Sequence, residues 1–471
     1  MRRSSIVVGV MALGCGAAPG GAADATSSGP GTTTGSSLPS TSADATVTGE
    51  GSSGPSTSAD STGVASAGTT ATDTETDSTG EPGVPTVELR LITDQNRAHP
   101  RMYGGWGPHL RGVMRDAEGT QWFCADAGPS VLDNASILYF RRDGDRWSQV
   151  AQQPHLPGVQ QNSASVLSGS TISTYSVNVA TSTLEECNLD TQDLSSFACN
   201  TISIGGPYST PPQSNYVGAA LDPNGARVVW FTTVGGAGSG QFTYTYDFGG
   251  GWNGPIAWTL PGYNTFEYVR ASFGAPNTVT WHGQLLLGAF PGGTFDPAIA
   301  ETTLGQTPTL TPLGGDAPPL DVRTGADIWV DPQTGDQHAV AQATGSLAYY
   351  YRPGADSWAN HTQPLHWFED TFRARFVAPA AGGLALVRGS ASGRSGVDVW
   401  IVDTVTGSID WNAATVAEVP TAGVIGLSRP SGIYVEGATY QSVPVEGIEF
   451  ALCGAYQESD EQLWHGSVVM R

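Results

Sequence analysis

The chain has 471 residues, including 62 Gly and 31 Pro, and only 13% of its residues are charged. This composition excludes a long-helix or coiled-coil protein, which is rich in Ala, Glu, Lys, Leu and Arg. Its 20 basic residues, all of them Arg, stand against 43 acidic residues, so the net charge is −23. A protein that follows the phosphates of a nucleic acid is thereby excluded, and we expect no nucleic-acid partner.

Residues 1–15 have the pattern of an export signal. Arg2 and Arg3 form a positively charged start, residues 6–13 are mostly apolar, and the small residue Gly14 precedes Cys15. The apolar stretch is much shorter than the roughly 20 residues needed to span a bilayer. We therefore predict a targeting segment and not a transmembrane helix.

The residues before Cys15 resemble the lipobox of bacterial lipoproteins, in which a diacylglycerol is attached to the Cys thiol. The family prefers Leu three positions before the Cys, where this chain has Ala12. The resemblance implies lipidation of Cys15 and an outer-membrane anchor. The alternative is an ordinary signal peptide, cut near Ala22 or Ala23, and a secreted protein. Both interpretations predict export.

Residues 16–85 form a linker rich in Ser, Thr, Gly and Asp. The linker holds no aromatic residue, no Arg and a single Leu, Leu38. Such a segment cannot bury enough apolar surface to offset the entropy of ordering, so we predict that it is disordered. A flexible tether of this length spans about 45 Å, enough to hold a folded domain clear of a membrane.

Residues 86–471 are predicted to fold, and they remain acidic, with 18 Arg and 35 acidic residues. Short alternating or β-branched runs recur between Gly, Pro, Asn and Asp, for example at residues 136–140, 241–246 and 346–351. Runs of this length and spacing predict strands. The domain is therefore expected to be all-β, as a sandwich, a barrel or a propeller.

A sequence repeat decides among these folds. A strand, a turn with Gly or Asp, and a Trp recur at intervals of 105, 106, 53 and 53 residues. The repeated residues are Trp147, Trp252, Trp358, Trp411 and Trp464. The two intervals of about 105 residues each span two repeats, and Phe197 and the segment 307–310 lie where the repeat that lacks a Trp would place one. Seven phases account for nearly the whole domain, which indicates a repeat architecture.

A second signal lies between the Trp hairpins. Tight turns are predicted at residues 116–119 (DAEG), 222–225 (DPNG) and 331–335 (DPQTG), with weaker versions at 275–277 and 378–382. Two hairpins per repeat make a four-stranded antiparallel blade, so the sequence predicts a β-propeller.

The spacing of the repeat also predicts the number of blades and the strands that could close the ring. Seven blades is the prediction, and six is the alternative if residues 283–313 are an insertion. Residues 87–92 and residues 462–469 are both candidates for the outer strand that closes the ring.

The first of the tight turns carries a family resemblance. Residues 116–122 (DAEGTQW) resemble the Asp-box of the bacterial neuraminidase (BNR) repeat, which occurs in sialidases and other secreted propellers. The chain departs from the box at Met114, where Ser or Thr is usual, and at Thr120, which follows Gly119 directly. The resemblance implies a propeller fold and includes no catalytic motif.

Four cysteines lie in the predicted domain. Cys187 and Cys199 bracket a predicted hairpin and are expected to form a local disulfide. Cys124 and Cys453 fall in the first and last blades, which are adjacent in a closed ring, so a second disulfide is predicted there, with free buried thiols as the alternative. Because no CxxC motif or cluster of His accompanies them, we predict no metal site and no cofactor.

A ligand site is predicted at the central opening, where the innermost strands begin. Three blades carry an Arg five residues before the tight turn or its equivalent: Arg111, Arg270 and Arg373. Guanidinium groups at the same position in several blades can converge on an anion and bind a carboxylate with two parallel hydrogen bonds. The alternative is that each Arg pairs with a neighbouring acid such as Glu267 or Asp370.

Three further residues are candidates at the same opening. Trp106 lies outside the Trp repeat, so it is the candidate for stacking on a sugar. His109 and Tyr268 each stand two residues before one of the arginines. They are the candidate catalytic residues, for proton transfer in the β-elimination of a uronic acid.

The sequence thus predicts a monomeric, extracytoplasmic, membrane-anchored binding module for an acidic glycan or another cell-surface ligand. The first alternative is a carbohydrate-active enzyme, a polysaccharide lyase or glycosidase, that uses the same face. The second alternative is a protein-binding scaffold. Nucleotide hydrolysis, zinc peptidase and serine hydrolase chemistry have no support, because the sequence lacks a Gly-rich phosphate loop, HExxH and GxSxG.

Overall fold

A computed structural model gives the structure of the protein. It describes residues 86–94, 101–103, 113–128, 136–153, 163–178, 181, 183–204, 217–222, 224–233, 239–287, 294–313, 326–343, 346–354, 358–360, 363–364, 374–378, 383–389, 396–418, 434–435, 448–454 and 462–469. Within these ranges the ordered elements are β-strands, and none of the described residues forms a helix that is long and apolar enough to cross a membrane.

Seven antiparallel sheets form a seven-bladed β-propeller, which confirms the predicted fold class and blade count. The elements up to the end of blade 1 are β1 (Thr86–Asp94), β2 (Arg101–Tyr103), β3 (Met114–Arg115), β4 (Gln121–Gly128), β5 (Ser136–Asp143) and β6 (Arg146–Gln153). Blade 1 has the order β2-β4-β5-β6, with β3 also paired to β4. The strand β1 belongs to blade 7.

Blades 2 to 4 each follow the chain order from the innermost to the outermost strand. Blade 2 consists of β7 (Ala164–Ser168), β8 (Thr171–Asn178), β9 (Thr183–Asp190) and β10 (Asp193–Ser203). Blade 3 consists of β11 (Val217–Leu221), β12 (Arg227–Thr233), β13 (Ser239–Asp247) and β14 (Trp252–Pro261). Blade 4 consists of β15 (Thr265–Phe273), β16 (Thr278–Leu287), β17 (Thr294–Thr303) and β18 (Thr309–Pro312). Residues 283–313, the possible insertion, therefore supply strands of blade 4.

Blades 5 and 6 have short or divided outer strands. Blade 5 consists of β19 (Ala326–Val330), β20 (Gln337–Ala343), β21 (Ser346–Arg352), β22 (Ala359–Asn360) and β23 (Gln363–Pro364). Blade 6 consists of β24 (Arg375–Val377), β25 (Leu384–Gly389), β26 (Gly396–Asp403), β27 (Ser408–Ile409) and β28 (Thr415–Glu418). Both β22 and β23 pair with β21, and both β27 and β28 pair with β26.

Blade 7 closes the ring with strands from both ends of the domain. Its strands are β29 (Tyr434–Val435), β30 (Ile448–Gly454) and β31 (Gln462–Val469), and β1 pairs with β31 as the outermost strand. Both candidates for the closing strand are therefore used, one as the third and one as the fourth strand. For this reason Trp464 lies on a third strand, whereas Trp147 and Trp252 lie on fourth strands.

The innermost strands stand side by side around the propeller axis. Contacts run from β3 to β7 and then through β11, β15 and β19 to β24, and β24 in turn contacts β30, the second strand of blade 7. At the closure, β1 contacts β6 of blade 1 and β28 of blade 6. The ring is thus continuous across the place where the two ends of the domain meet.

Apolar side chains fill the space between blades. At the junction of blades 3 and 4, Phe242 and Tyr244 of β13 alternate with side chains on the other face and pack against Trp281 of β16. The ring centroids of Phe242 and Trp281 are 5.4 Å apart, in an edge-to-face arrangement. Alternation therefore places one apolar face of each blade against its neighbour.

The Asp residues of the tight turns have a structural role. In the turn from β3 to β4, the buried carboxylate of Asp116 accepts hydrogen bonds from the Thr120 amide at 2.8 Å and from Trp122 Nε1 at 2.9 Å. Asp222 and Asp331 similarly accept backbone amides two residues on. This is the usual chemistry of an Asp that begins a turn.

The local disulfide is confirmed: Cys187 and Cys199 are bonded and occupy facing positions on β9 and β10. Cys124 is buried in β4 on the face that packs against Leu167 and Ile172 of blade 2. Cys453 lies in β30 of blade 7, and its side chain is outside the described residues. A bond between Cys124 and Cys453 stays a prediction.

Two junctions combine an arginine, an acid of the preceding blade and the repeated Trp. Between blades 2 and 3, Arg227 lies 3.0 Å from Glu186 and 2.5 Å from Asp247, and its guanidinium stands 5.1 Å from the ring centroid of Trp252. Between blades 4 and 5, Arg352 lies 3.0 Å from Glu301 and over Trp358 at 5.2 Å. Two Trp residues of the repeat, Trp252 and Trp358, therefore lie at these polar junctions.

We predict that Arg227→Ala destabilises the fold by about 3 kcal/mol, because it leaves the carboxylates of Glu186 and Asp247 buried without their shared cation. Arg146→Ala is the control, since that side chain is exposed on β6, and it should change the unfolding free energy by less than about 0.5 kcal/mol. Urea unfolding near neutral pH measures both. Equal losses in the two variants contradict the structural role of Arg227.

Three buried histidines make the fold sensitive to acid. Burial lowers the pKa of His282 and of His338 to about 4. Burial and three nearby arginines lower the pKa of His465 to about 3. In the unfolded chain these groups take up protons near their ordinary pKa of 6.5, whereas the folded protein keeps them neutral.

We therefore expect stability to be full above about pH 7 and to fall progressively as the pH drops toward about 5, before most carboxylates titrate. Thermal unfolding across this interval measures the slope. His338→Phe keeps an aromatic ring against Phe376 but loses the 2.8 Å hydrogen bond with the Tyr349 hydroxyl, so it should lower the overall stability while making the slope less steep. A melting temperature that is flat between these pH values contradicts the prediction.

Candidate functional site

The structure describes only part of the predicted ligand site. Trp106, His109, Arg111 and Arg373 lie outside the described residues. Tyr268 is on β15, but its side chain is not among those described. Arg270 is fully described, and the site is built from it outward; the other assignments stay predictions.

Arg270 is placed by the register of β15 and β16. It pairs with His282, next to the pair formed by Ala271 and Trp281. Because Ala271 and Trp281 pack into the core shared with blade 3, Arg270 and His282 point the other way, toward blade 5. Arg270 is 7% exposed, and its Nε lies 3.7 Å from Oδ1 of Asp327 on β19. The arginine thus pairs with an acid from the next blade.

Asp327 connects three consecutive blades. It is 2% exposed, and its carboxylate accepts the amide of Phe376 in blade 6 at 2.7 Å and that of Ile328 in its own strand at 3.0 Å. Burial raises the pKa of Asp327, while the charges of Arg270 and Arg375 and the two amides act in the opposite direction. The side chain therefore sits in a low-dielectric site under the influence of two cations.

Arg375 supplies the second cation, from blade 6. It begins β24, is fully buried, and donates from Nη1 to the carbonyl of Ala374 at 2.8 Å. The sequence prediction named Arg373 and missed Arg375.

Polar side chains of blade 4 complete the surroundings. Glu267, His282 and Gln284 are each 0% exposed. Glu267 of β15 pairs with Gln284 of β16, and His282 of β16 pairs with Arg270 of β15. The Nδ1–H of His282 donates to the backbone carbonyl of Asp327 at 2.9 Å. We call Arg270, Asp327 and Arg375, together with Glu267, His282 and Gln284, the axial cluster, because its charged groups lie on innermost strands.

A second buried ion pair lies in blade 6. Arg388 of β25 is 2.7 Å from Asp398 of β26, and its guanidinium stands 5.0 Å from the ring centroid of Trp400. Trp400 belongs to the apolar core shared with blade 5. Burial lowers the pKa of Arg388, and the carboxylate of Asp398 opposes the shift. This pair is fixed within its own blade and is not part of the axial cluster.

The axial cluster has donors and acceptors for a polar ligand. Guanidinium groups can bind a carboxylate, and carboxylates and amides can bind sugar hydroxyls. Both interactions are stronger in a buried site than in water. Within the described ranges, no group of three or more His, Cys, Asp or Glu is placed to hold a metal ion.

No family model matches the sequence, and no curated protein matches it. The structure is similar to that of a protein of unknown function from Dyadobacter fermentans DSM 18053, with 12% identity, over 82% of this chain and 100% of that chain, at a TM-score of 0.46.

Two structures of carbohydrate-active proteins are similar to the same degree. One is an alpha-L-arabinofuranosidase of Fusarium graminearum in complex with an iminosugar inhibitor, with 9% identity over 82% of this chain and 98% of that chain, at a TM-score of 0.45. The other is the polysaccharide lyase Uly1, with 11% identity over 77% of this chain and 90% of that chain, at a TM-score of 0.47. Similarities this low carry no argument about function, and the propeller fold rests on the strand order itself.

Proposed function

We propose that the protein is an exported, membrane-anchored binding module that takes an acidic glycan, or another carboxylate-bearing surface ligand, at the axis of its propeller. One observation carries this proposal. Two arginines from blades 4 and 6, Arg270 and Arg375, are buried on innermost strands near the carboxylate of Asp327.

The charge of the whole domain makes this position unusual. The domain is strongly acidic, with 18 Arg against 35 acidic residues. Arg270 and Arg375, on innermost strands of blades 4 and 6, place positive charge near the axis of this acidic domain. A carboxylate-bearing ligand at the axis would be attracted to this charge, and the attraction is stronger in a site with little water.

The anchor and tether support the location. The targeting pattern of residues 1–15, with Cys15 at its end, and the low-complexity segment 16–85 lie outside the described residues. They are the basis for proposing lipidation and a disordered stalk. A binding domain on such a stalk can reach ligands at a distance of several tens of Å from the membrane.

The enzyme alternative is favoured by one feature of the cluster. A carboxyl group whose pKa is raised by burial, as for Asp327, is the kind of group that acts as a general acid in glycosidases. Incubation of the protein with uronic polysaccharides, followed by ultraviolet detection of unsaturated products and by reducing-sugar release, tests the lyase and glycosidase forms of this alternative. Turnover in either assay replaces the binding-module proposal.

For the binding module, we predict that the full chain binds polygalacturonate and that Arg270→Met weakens this affinity at least about tenfold, a loss of roughly 1.4 kcal/mol. Titration calorimetry measures the affinity. Arg270→Lys keeps the charge but loses the planar fork, so its affinity should lie between those of the other two proteins.

The control for this experiment is Arg146→Ala, which removes an exposed arginine far from the axis in the fold and should leave the affinity unchanged. Thermal unfolding checks that every variant is folded. If Arg270→Met, while folded, binds as well as the unaltered protein, the axial arginine does not contact the ligand. Binding to a protein partner but to no glycan instead supports the scaffold alternative.

A further inference from the structure

The junction between blades 7 and 1, where the two ends of the domain meet, combines four buried polar side chains. They are Gln121 of β4, Trp147 of β6, Glu449 of β30 and His465 of β31, none of them more than 8% exposed, and we call them the seam group. Five of their polar atoms have no hydrogen-bond partner within the described part of the chain: Gln121 Nε2, Trp147 Nε1, Glu449 Oε2 and both ring nitrogens of His465. Because buried polar groups are nearly always hydrogen-bonded, these atoms indicate a polar binding site.

The members of the seam group are neighbours. The ring centroids of Trp147 and His465 are 5.5 Å apart, in an edge-to-face arrangement. His465 Nε2 lies 4.0 Å from Glu449 Oε2, which is too far for a direct hydrogen bond. On blade 1, Trp147 pairs with Arg142, whose guanidinium donates to Oε1 of Gln121. The unsatisfied atoms therefore face one another from both blades.

The chemistry of the seam group is mixed. A guanidinium only donates, so the Gln121 atom that faces Arg142 is the amide oxygen, and Nε2 is left as a donor. Trp147 Nε1 is also a donor, and a neutral His465 has one donor and one acceptor nitrogen. With the acceptor Glu449 Oε2, the seam group combines three donor atoms and two acceptor atoms.

Three arginines surround the seam group with positive charge. They are Arg90 of β1, Arg115 of β3 and Arg142 of β5. All three repel a proton on His465, and together with burial they lower its pKa to about 3, so the ring is neutral near neutral pH. An anion is therefore favoured at this position over a cation.

The acids of the junction are divided between its interior and its surface. Glu449 is buried, and its Oε1 accepts a hydrogen bond from Arg115 at 2.6 Å. Glu88 and Asp145 contact Arg90 at 2.8 and 3.4 Å, but their side chains are exposed, so water and salt screen them. Inside the junction one acid thus stands against three arginines.

The junction reaches solvent at one end of blade 1. The side chains of Arg90, Arg115 and Arg142 are 24, 18 and 19% exposed. Arg115 Nη1 and Arg142 Nε donate to the carbonyls of Gly119 and Gly144 in the turns that follow β3 and β5. Because antiparallel strands alternate in direction, both turns lie at the end opposite to the start of the innermost strand. An ion can enter there, away from the axial cluster.

We propose that the seam group binds a small oxyanion that carries a proton, with inorganic phosphate as its simplest form. The phosphate oxygens accept hydrogen bonds from Gln121, Trp147 and the donor nitrogen of His465, and the guanidinium of Arg142 supplies charge. The phosphate proton is donated to Glu449 Oε2. Sulfate keeps no proton near neutral pH, and neither does a phosphodiester headgroup of a lipid, so the same carboxylate repels both. This site does not depend on the proposed function.

Titration calorimetry on the full chain near neutral pH tests the site, with inorganic phosphate and sulfate as separate probes. The unaltered protein should bind phosphate at least about tenfold more tightly than sulfate. Glu449→Gln replaces the charged acceptor with an amide that can donate to either anion, so the preference for phosphate should disappear. A purely structural role of Glu449 would leave the ratio of the two affinities unchanged.

His465→Phe keeps an aromatic ring against Trp147 and removes both ring nitrogens, so it should weaken phosphate binding at least about tenfold. Arg146→Ala is the matched control, because it removes a positive charge from an exposed position of the same hairpin, and it should bind phosphate like the unaltered protein. Arg270→Met should do the same, since it alters the axial cluster. Thermal unfolding shows whether each variant is folded.

Three results overturn this inference: no phosphate binding by the unaltered protein, equal affinities for phosphate and sulfate, or an unchanged phosphate affinity in folded His465→Phe. Loss of phosphate binding in folded Arg270→Met also overturns it, because the anion then lies in the axial cluster. If the seam variants fail to fold, the comparison of the two anions on the unaltered protein still decides. None of these results concerns polygalacturonate, so the proposed function stands or fails separately.

Discussion

The whole structure depends on the fact that a four-stranded blade has two faces that must both be covered. Side chains such as Phe242 and Trp281 are apolar and meet only across a junction between blades. A linear row of such sheets would leave an uncovered face at each end. Pairing of β1 with β31 removes those ends, because it completes blade 7 between blades 6 and 1.

The junctions are not all alike. Apolar packing dominates between blades 3 and 4, whereas Arg227 and Arg352 bridge acids of the preceding blades at two other junctions and stand over Trp252 and Trp358. Each pair joins particular residues of two blades, and removing one partner leaves a charge at the junction uncompensated. In a ring of repeated units, this specificity distinguishes one neighbour from another.

The axial cluster also brings together arginines and acids of different blades, but it does so near the propeller axis. Arg270, Asp327 and Arg375 come from three successive blades and meet only because their innermost strands adjoin. Their charged groups, buried on innermost strands next to the propeller axis, are the basis for the proposed recognition of an acidic ligand. The tight turns, in contrast, use their Asp residues to hold the backbone, so similar residue types have separate roles.

The sequence by itself determined the all-β class, the seven-fold repeat, the turns that begin with Asp116, Asp222 and Asp331, and the local disulfide, because each depends on residues close in the chain or on a regular period. It also placed Arg270 on an innermost strand. Only the tertiary structure decided that β1 and β31 share blade 7 and that the partner of Arg270 is Asp327, 57 positions away in the sequence. Contacts between blades depend on how whole sheets stack, and one-dimensional spacing carries no information about which side chains then face each other.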